Sequence, residues 1–218
     1  ASHQLKTPLA VLKTQASVAL ASGDPRLWRE SLAAMSGTLN STILLTERLL
    51  QLATIKRKEQ GEQAFPPVDL QEIVHHSCFS RLQQARSKAI DLGYEGETST
   101  VTIAGDGVLL SELCANLLDN AIRYTPQGGI VTVSLHRDGE AVLLDVEDSG
   151  PGIDDAQIQQ ALMPFHRLEN VGDNPGAGLG LALVSDIARL HRSHPQLLRS
   201  ETLGGLKVRL RFLRARSE

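Results

Sequence analysis

Between Leu110 and Tyr124 apolar residues recur at helical spacing: Leu110, Leu113, Leu117, Leu118 and Ala121 share one face. The spacing predicts a helix that Pro126 and Gly128-Gly129 end. Near the start of the chain, Leu5, Leu9, Leu12, Ala16 and Ala19 alternate in threes and fours, an amphipathic helix stopped by Ser22-Gly23-Asp24-Pro25. A second helix is predicted from Arg26 to Ile55, with one seam of Leu32, Met35, Leu39, Ile43 and Leu50 and another of Leu45, Leu49 and Leu52. A lone pair of helices does not bury so broad an apolar surface, whereas two hairpins packed as a four-helix bundle do. A homodimer is therefore expected.

From Phe65 onward the period changes. Phe65–Val68 reads as a short strand, and Asp69 as the cap of a helix reaching Ser87. Ile90–Tyr94 and Thr100–Ala104 read as strands. Gly129–His136 and Ala141–Glu147 alternate around a hairpin turn at Asp138-Gly139. A helix from Leu179 to His191 precedes strands at Gln196–Ser200 and Gly205–Phe212. The fold class is α+β: an N-terminal helical hairpin over 1–64, then a two-layer α/β sandwich with a mixed sheet over 65–218. The polar stretch Lys56–Pro67 reads as the hinge between them.

Composition narrows the function classes. The chain has 218 residues, 41% hydrophobic, enough for one or two ordinary cores. Its net charge of −3 argues against nucleic acid as a partner. The basic clusters Lys56-Arg57-Lys58 and Arg209 to Arg216 read as a solvated linker and a strand edge with a tail. Cys78 and Cys114 read as core thiols of a reducing compartment. No apolar run reaches the roughly 20 residues of a membrane helix. Because the sequence begins without Met, close to His3, it is expected to be a C-terminal fragment, with any membrane attachment in segments outside it.

Opposite the apolar face of the 110–124 helix, Glu112, Asn116, Asn120 and Tyr124 stand four residues apart. Steps of four drift by about 40° around a helix, so they form one row, with Arg123 beside it. Asparagine is a mediocre helix former. Its carbonyl oxygen suits a hard cation such as Mg²⁺, and Arg123 suits phosphate. The plainer reading is a solvated helix face. Further on come Asp148-Ser149-Gly150-Pro151-Gly152 and Gly176-Ala177-Gly178-Leu179-Gly180, the latter running into a helix. Bare backbone N–H groups at a helix start suit phosphate.

In this order, with Pro164-Phe165 between them, these segments resemble the nucleotide-binding boxes of the histidine kinases. That family shares the Bergerat-type ATP-binding fold with the gyrase, Hsp90 and MutL ATPases. Ser2-His3-Gln4-Leu5-Lys6-Thr7-Pro8-Leu9 resembles the phosphoacceptor box of the same kinases, so the resemblance runs from Ser2 to about Leu213. It implies a two-component sensor kinase that binds Mg²⁺ and ATP, phosphorylates His3, and passes the phosphate to an aspartate of a response regulator receiver domain. By the same resemblance Asp148 takes the adenine amino group, with Gly150 and Gly152 giving the base room. Gly176, Gly178, Leu179 and Gly180 meet the phosphates, and Asn116 and Asn120 hold the metal. The polar, glycine-bearing stretch Glu169–Pro175 reads as a lid over the triphosphate with Phe165 as its anchor, and Arg167 reads either as a contact to the terminal phosphate or as a surface arginine. Thr7, one turn after His3, positions the water that dephosphorylates the regulator.

Two further points concern chemistry. In the gyrase-type ATPases a glutamate stands four residues before the metal-binding asparagine and activates water. Here that place holds Asn116, whose amide is not a base. Relatives usually carry an acidic residue after the histidine, and here it is Gln4, so slower or more pH-dependent autophosphorylation is expected. Glu112 is either an influence on the incoming His3 or a plain surface charge. Pro8 either kinks a longer helix or occupies its first turn. The other histidines (His75, His76, His136, His166, His191 and His194) read as surface or structural. The alternative to a kinase is a nucleotide-binding or phosphatase-only regulatory module.

Overall fold

A computed structural model describes residues 2–59, 65–96, 99–164 and 178–215. The lid Glu169–Pro175, Phe165, Arg167 and Gly176 therefore lie outside the described residues, as does the middle of the hinge at 60–64. The chain divides into two compact units, Ala1–Thr54 and Ile55–Glu218.

The first unit is helical. α1 spans Ser2–Ala21 and α2 spans Pro25–Glu59. Pro8 lies inside α1 and not in its first turn. The connection is held locally. Asp24 Oδ1 accepts from Arg26 N at 2.9 Å, and the Trp28 indole donates to the Ser22 carbonyl at 2.6 Å. Pro25 occupies the first helical position of α2, where its missing N–H costs nothing. The hairpin leaves much of its apolar seam exposed: Leu32 is 61% exposed, Ile43 54% and Leu39 48%.

The second unit begins with β1 (Pro67–Asp69) and α3 (Leu70–Ser87). Next come β2 (Asp91–Gly96), β3 (Thr102–Ala104) and α4 (Gly107–Tyr124). The hairpin β4 (Ile130–Asp138) and β5 (Ala141–Asp148) follows. A 3-10 turn (Asp155–Gln157) and the short α5 (Ile158–Ala161) lead on to α6 (Gly180–Leu190), β6 (Gln196–Arg199) and β7 (Leu206–Leu213). Five strands make one sheet in the order β2-β4-β5-β7-β6. β2 and β4 are parallel, joined through the α4 crossover that a parallel pair requires, and the other neighbours are antiparallel. β1 and β3 form a separate antiparallel pair.

Register puts Val133 opposite Val146, Val146 opposite Val208, and Leu144 between Leu135 and Leu210. These side chains are all buried, and with Leu113, Leu117, Leu183 and Ile187 of α4 and α6 they make the core between sheet and helical layer. The other sheet face is polar. There Asp145 pairs with Arg209 through two bonds of 2.8 and 2.7 Å, and Lys207 bridges Asp145 and Glu147 at 3.0 and 2.9 Å. This corrects the strand-edge reading of the basic run from Arg209, because β7 lies inside the sheet between β5 and β6.

The helical layer is tied by Arg81 of α3, which grips Asp119 of α4 at 3.0 and 3.3 Å. Asp69 caps α3, accepting from Gln71 N and Glu72 N, and Asp106 caps α4, accepting from Val108 N and Leu109 N. His191 is buried and structural: Nε2 accepts from Asp106 N at 2.9 Å, while Nδ1 lies 2.8 Å from the Ile187 carbonyl. The carbonyl can only accept, so the ring is neutral with its proton on Nδ1. His75 and His76 are exposed. Cys78 and Cys114 are free thiols, pushed up by burial to about 11 and about 12.

Candidate functional site

The site is built along α4. Leu110, Leu113, Leu117, Leu118 and Ala121 are buried, which fixes the helix's rotation and sends the Glu112–Asn116–Asn120–Tyr124 row the other way. That row is not a solvated face. Asn116 is only 3% exposed, and Glu112, Asn120 and Tyr124 are half-buried. The Asn116 amide donates to the Glu112 carbonyl at 2.8 Å and to Glu112 Oε1 at 3.0 Å.

The glycine segment meets the middle of this row. A Cβ at Gly180 would lie 3.0 Å from Asn120 Nδ2 and 3.1 Å from Oδ1, so the start of α6 sits directly on the Asn120 amide. Gly178 adopts φ +65°, and Leu179 is fully buried as the N-cap residue. Unlike α3 and α4, α6 has no side chain bonded to its first N–H groups among the described residues. Those donors, with the positive end of the helix dipole, suit an anion.

The Asp148 turn meets the C-terminal end of the same helix. A Cβ at Gly150 would stand 2.9 Å from the Tyr124 carbonyl, so only glycine allows the approach. Gly152 has φ +76°, a conformation that favours glycine. Asp148 is 5% exposed. Its Oδ1 accepts from Gly150 N at 2.8 Å and Leu206 N at 3.2 Å. No donor among the described residues reaches Oδ2, which is left as an acceptor. Burial pushes the Asp148 carboxyl up, against the pull of those two N–H groups.

The second unit thus brings Asn116, Asn120, Tyr124, Asp148, Gly150, Gly152, Gly178, Leu179 and Gly180 to one helix. Arg123 is half-buried beside them, and its guanidinium makes no hydrogen bond among the described residues. His3, Gln4 and Thr7 lie in the first two turns of α1, in the other unit, with Thr7 exposed. Three contributors were not singled out from the sequence. Gly205 packs against the Asp148 carbonyl and carboxylate, where a Cβ would collide with both. Leu206 supplies the second N–H to Asp148. Lys88 donates Nζ to the carbonyls of Ile122, Arg123 and Thr125 at 2.7, 2.9 and 2.7 Å, closing the C-terminus of α4 under Tyr124. The pair Gly204-Gly205 before a strand was the only local signal among these.

Residues 105–216, the span carrying this arrangement, match the family model described as histidine kinase-, DNA gyrase B-, and HSP90-like ATPase. The chain belongs to this family. It is 35% identical over 191 residues to the sensor protein kinase PmrB of Pseudomonas aeruginosa, covering 88% of this chain and 39% of that protein. To the sensor protein CutS of Streptomyces coelicolor it is 33% identical over 215 residues, 96% of this chain and 50% of that one. The chain thus spans two-fifths to half the length of these curated relatives. Among solved structures, the mycobacterial sensor histidine kinase MprB superposes with a TM-score of 0.60 at 27% identity, over 70% of this chain and 99% of that one. The Acinetobacter baumannii histidine kinase AdeS shares the fold over 98% of both chains, with a TM-score of 0.70 at 20% identity. The mixed sheet under one helical layer is thus the ATP-binding fold of this family.

Proposed function

We propose that this chain is the kinase core of a two-component sensor histidine kinase, binding Mg·ATP along α4 and phosphorylating His3. The observation that carries the reading is the seating of the uncapped start of α6 on Asn120. It sets phosphate-binding N–H groups beside amide oxygens suited to a hard cation. Asp148 Oδ2 accepts the adenine amine, and Gly150, Gly152 and Gly205 leave the base its room. Asn116 and Asn120 are the residues that would hold Mg²⁺, which neutralises phosphate charge when bound. Arg123 is close enough in sequence and face to add to that neutralisation.

Hydrolysis is disfavoured because Asn116 carries no base to activate water. The terminal phosphoryl group then survives for a better-placed nucleophile. A neutral His3 ring nitrogen attacks the γ-phosphorus. The P–N bond forms as the bond to the β–γ bridging oxygen breaks, and ADP leaves with the electron pair. The phosphoryl group then passes to an aspartate of a receiver domain, and Thr7 assists its later hydrolysis there. The exposed seam of Leu32, Leu39 and Ile43 supports association of two hairpins as a four-helix bundle. Among the described residues no helix is long and apolar enough to cross a membrane. Attachment to a bacterial inner membrane, with this portion on the cytoplasmic side, would use segments outside this sequence.

Incubation with γ-labelled ATP tests the reading. Acid-labile, base-stable label that disappears in His3→Gln is the expected result, with a version extended upstream of His3 as the control. Nucleotide binding without label in either version would favour the regulatory module. No adenine nucleotide binding would overturn both.

A further inference from the structure

Glu112 has a specific relation to Asn116 that the proposed reaction does not yet use. The Asn116 amide nitrogen donates to it twice, to the Glu112 backbone carbonyl at 2.8 Å and to its Oε1 at 3.0 Å. A backbone carbonyl and a carboxylate only accept. Reversing the amide would set its oxygen against two acceptors and lose both bonds in a site that is 3% exposed. The orientation is thus dictated by chemistry, and Oδ1 lies on the side of the amide away from Glu112. No donor among the described residues reaches Oδ1.

We infer that Glu112 is a positioning residue, holding the Asn116 amide with its oxygen turned out to receive the metal of the bound nucleotide. This rests on the reading of the site as an Mg·ATP site. Without Glu112 Oε1 the amide keeps one anchor, the backbone carbonyl, and rotates more freely. Partners that orient a ligand from behind typically change metal affinity by about 10- to 100-fold when removed. With one anchor remaining, the lower end applies. Glu112→Gln retains an acceptor oxygen at the same reach and so keeps the orientation.

Two measurements on the full 218-residue chain test this. In nucleotide-free protein, the Asn116 side-chain amide resonances and their slow solvent exchange are expected in wild type and Glu112→Gln, and fast exchange in Glu112→Ala. Calorimetry should then give Glu112→Ala about 10-fold weaker Mg·ATP binding, with its affinity for ADP in excess chelator unchanged. Glu112→Gln should match wild type in both. Equal exchange in Glu112→Ala and wild type would overturn the inference. So would a loss of Mg·ATP affinity as large in Glu112→Gln as in Glu112→Ala, since the charge and not the orientation would then matter. Backbone amide spectra establish that the variants are folded. Wild-type protein that binds no ATP would sink the proposed function, while the exchange measurement would still read the Glu112–Asn116 relation.

Discussion

Gly180 and Asn120 meet so closely that a single methyl group would force them apart: a Cβ on Gly180 would lie 3.0 Å from Asn120 Nδ2. The contact is tight and not impossible, so the amide, at the end of a short side chain, is the part that yields. Gly180→Ala should therefore fold, with helix propensity gaining up to about 1 kcal/mol against the strain. Its Mg·ATP affinity should drop on the order of 10-fold, a displacement worth about 1.4 kcal/mol. Calorimetry with a parallel melting curve separates the two effects; unchanged affinity would mean that Asn120 does not meet the nucleotide.

Asp148→Asn should separate recognition from folding. The asparagine oxygen still accepts from Gly150 and Leu206, while an NH2 replaces Oδ2 and opposes the adenine amine. ATP affinity should fall by at least about 10-fold, whereas inosine triphosphate, with an oxygen at that position, should lose much less. A parallel loss for both nucleotides would place the base elsewhere.

The same residue carries a signed pH dependence. Burial raises the Asp148 carboxyl's pKa, so the folded state holds that proton more tightly than the unfolded chain. Its ionised form opposes folding at neutral pH, and acid relieves the opposition on passing through the raised value. Asp148→Asn should thus be at least as stable as wild type at pH 7 in urea titration, while binding ATP worse. A clear destabilisation would show that the charge strengthens those two backbone bonds by more than its burial costs.

Asp145 and Glu147 have the opposite sign. Burial works against their carboxylates. It is outweighed at Asp145 by bonds from Arg209 and Lys207, and at Glu147 by bonds from Ser200 and Lys207, which hold both below the usual range. Their contribution is complete above the ordinary carboxylate values of about 4 and is lost as pH falls through the lowered ones. Asp145→Ala should cost about 2 kcal/mol at pH 7, since Arg209 and Lys207 lose a buried partner but can be rehydrated. The deficit should shrink as pH falls through the lowered value, where the wild type loses the same interaction.

Lys88→Met keeps the aliphatic stem and removes the ammonium that three carbonyls share at the end of α4. The expected loss is about 1–2 kcal/mol of stability. Amide exchange should accelerate at Thr125 to Gly129, and ATP affinity should weaken because Tyr124 backs directly on Gly150. Exchange confined to the wild-type pattern would refute the clamp.

What the chain's pattern carried well were features local in sequence. The apolar stripe of α4, the Asp69 cap, the β4–β5 hairpin and the break at Ser22–Pro25 each depend on residues within a turn or two of one another. So did the row Glu112, Asn116, Asn120 and Tyr124, because four-residue spacing survives any tertiary arrangement. The burial of Asn116 did not follow from that spacing, since periodicity says which side a residue takes and not what covers it. His191 likewise looked like any surface or structural histidine until Phe65 stacked on it at 4.9 Å and Asp106 N found its Nε2.

By itself, the order of residues determined the helical hairpin, the alternating strands and the residue types gathered for phosphate, base and metal. Backbone periodicity and turn chemistry are short-range, and a short window of sequence contains them. Only the tertiary structure decided that Gly205 and Leu206 close on Asp148, that Lys88 seals α4, and that α6 starts against Asn120. Those contacts join residues from 34 to 60 positions apart. Which of the many possible partners meets which is settled by the common core packing that all of them share.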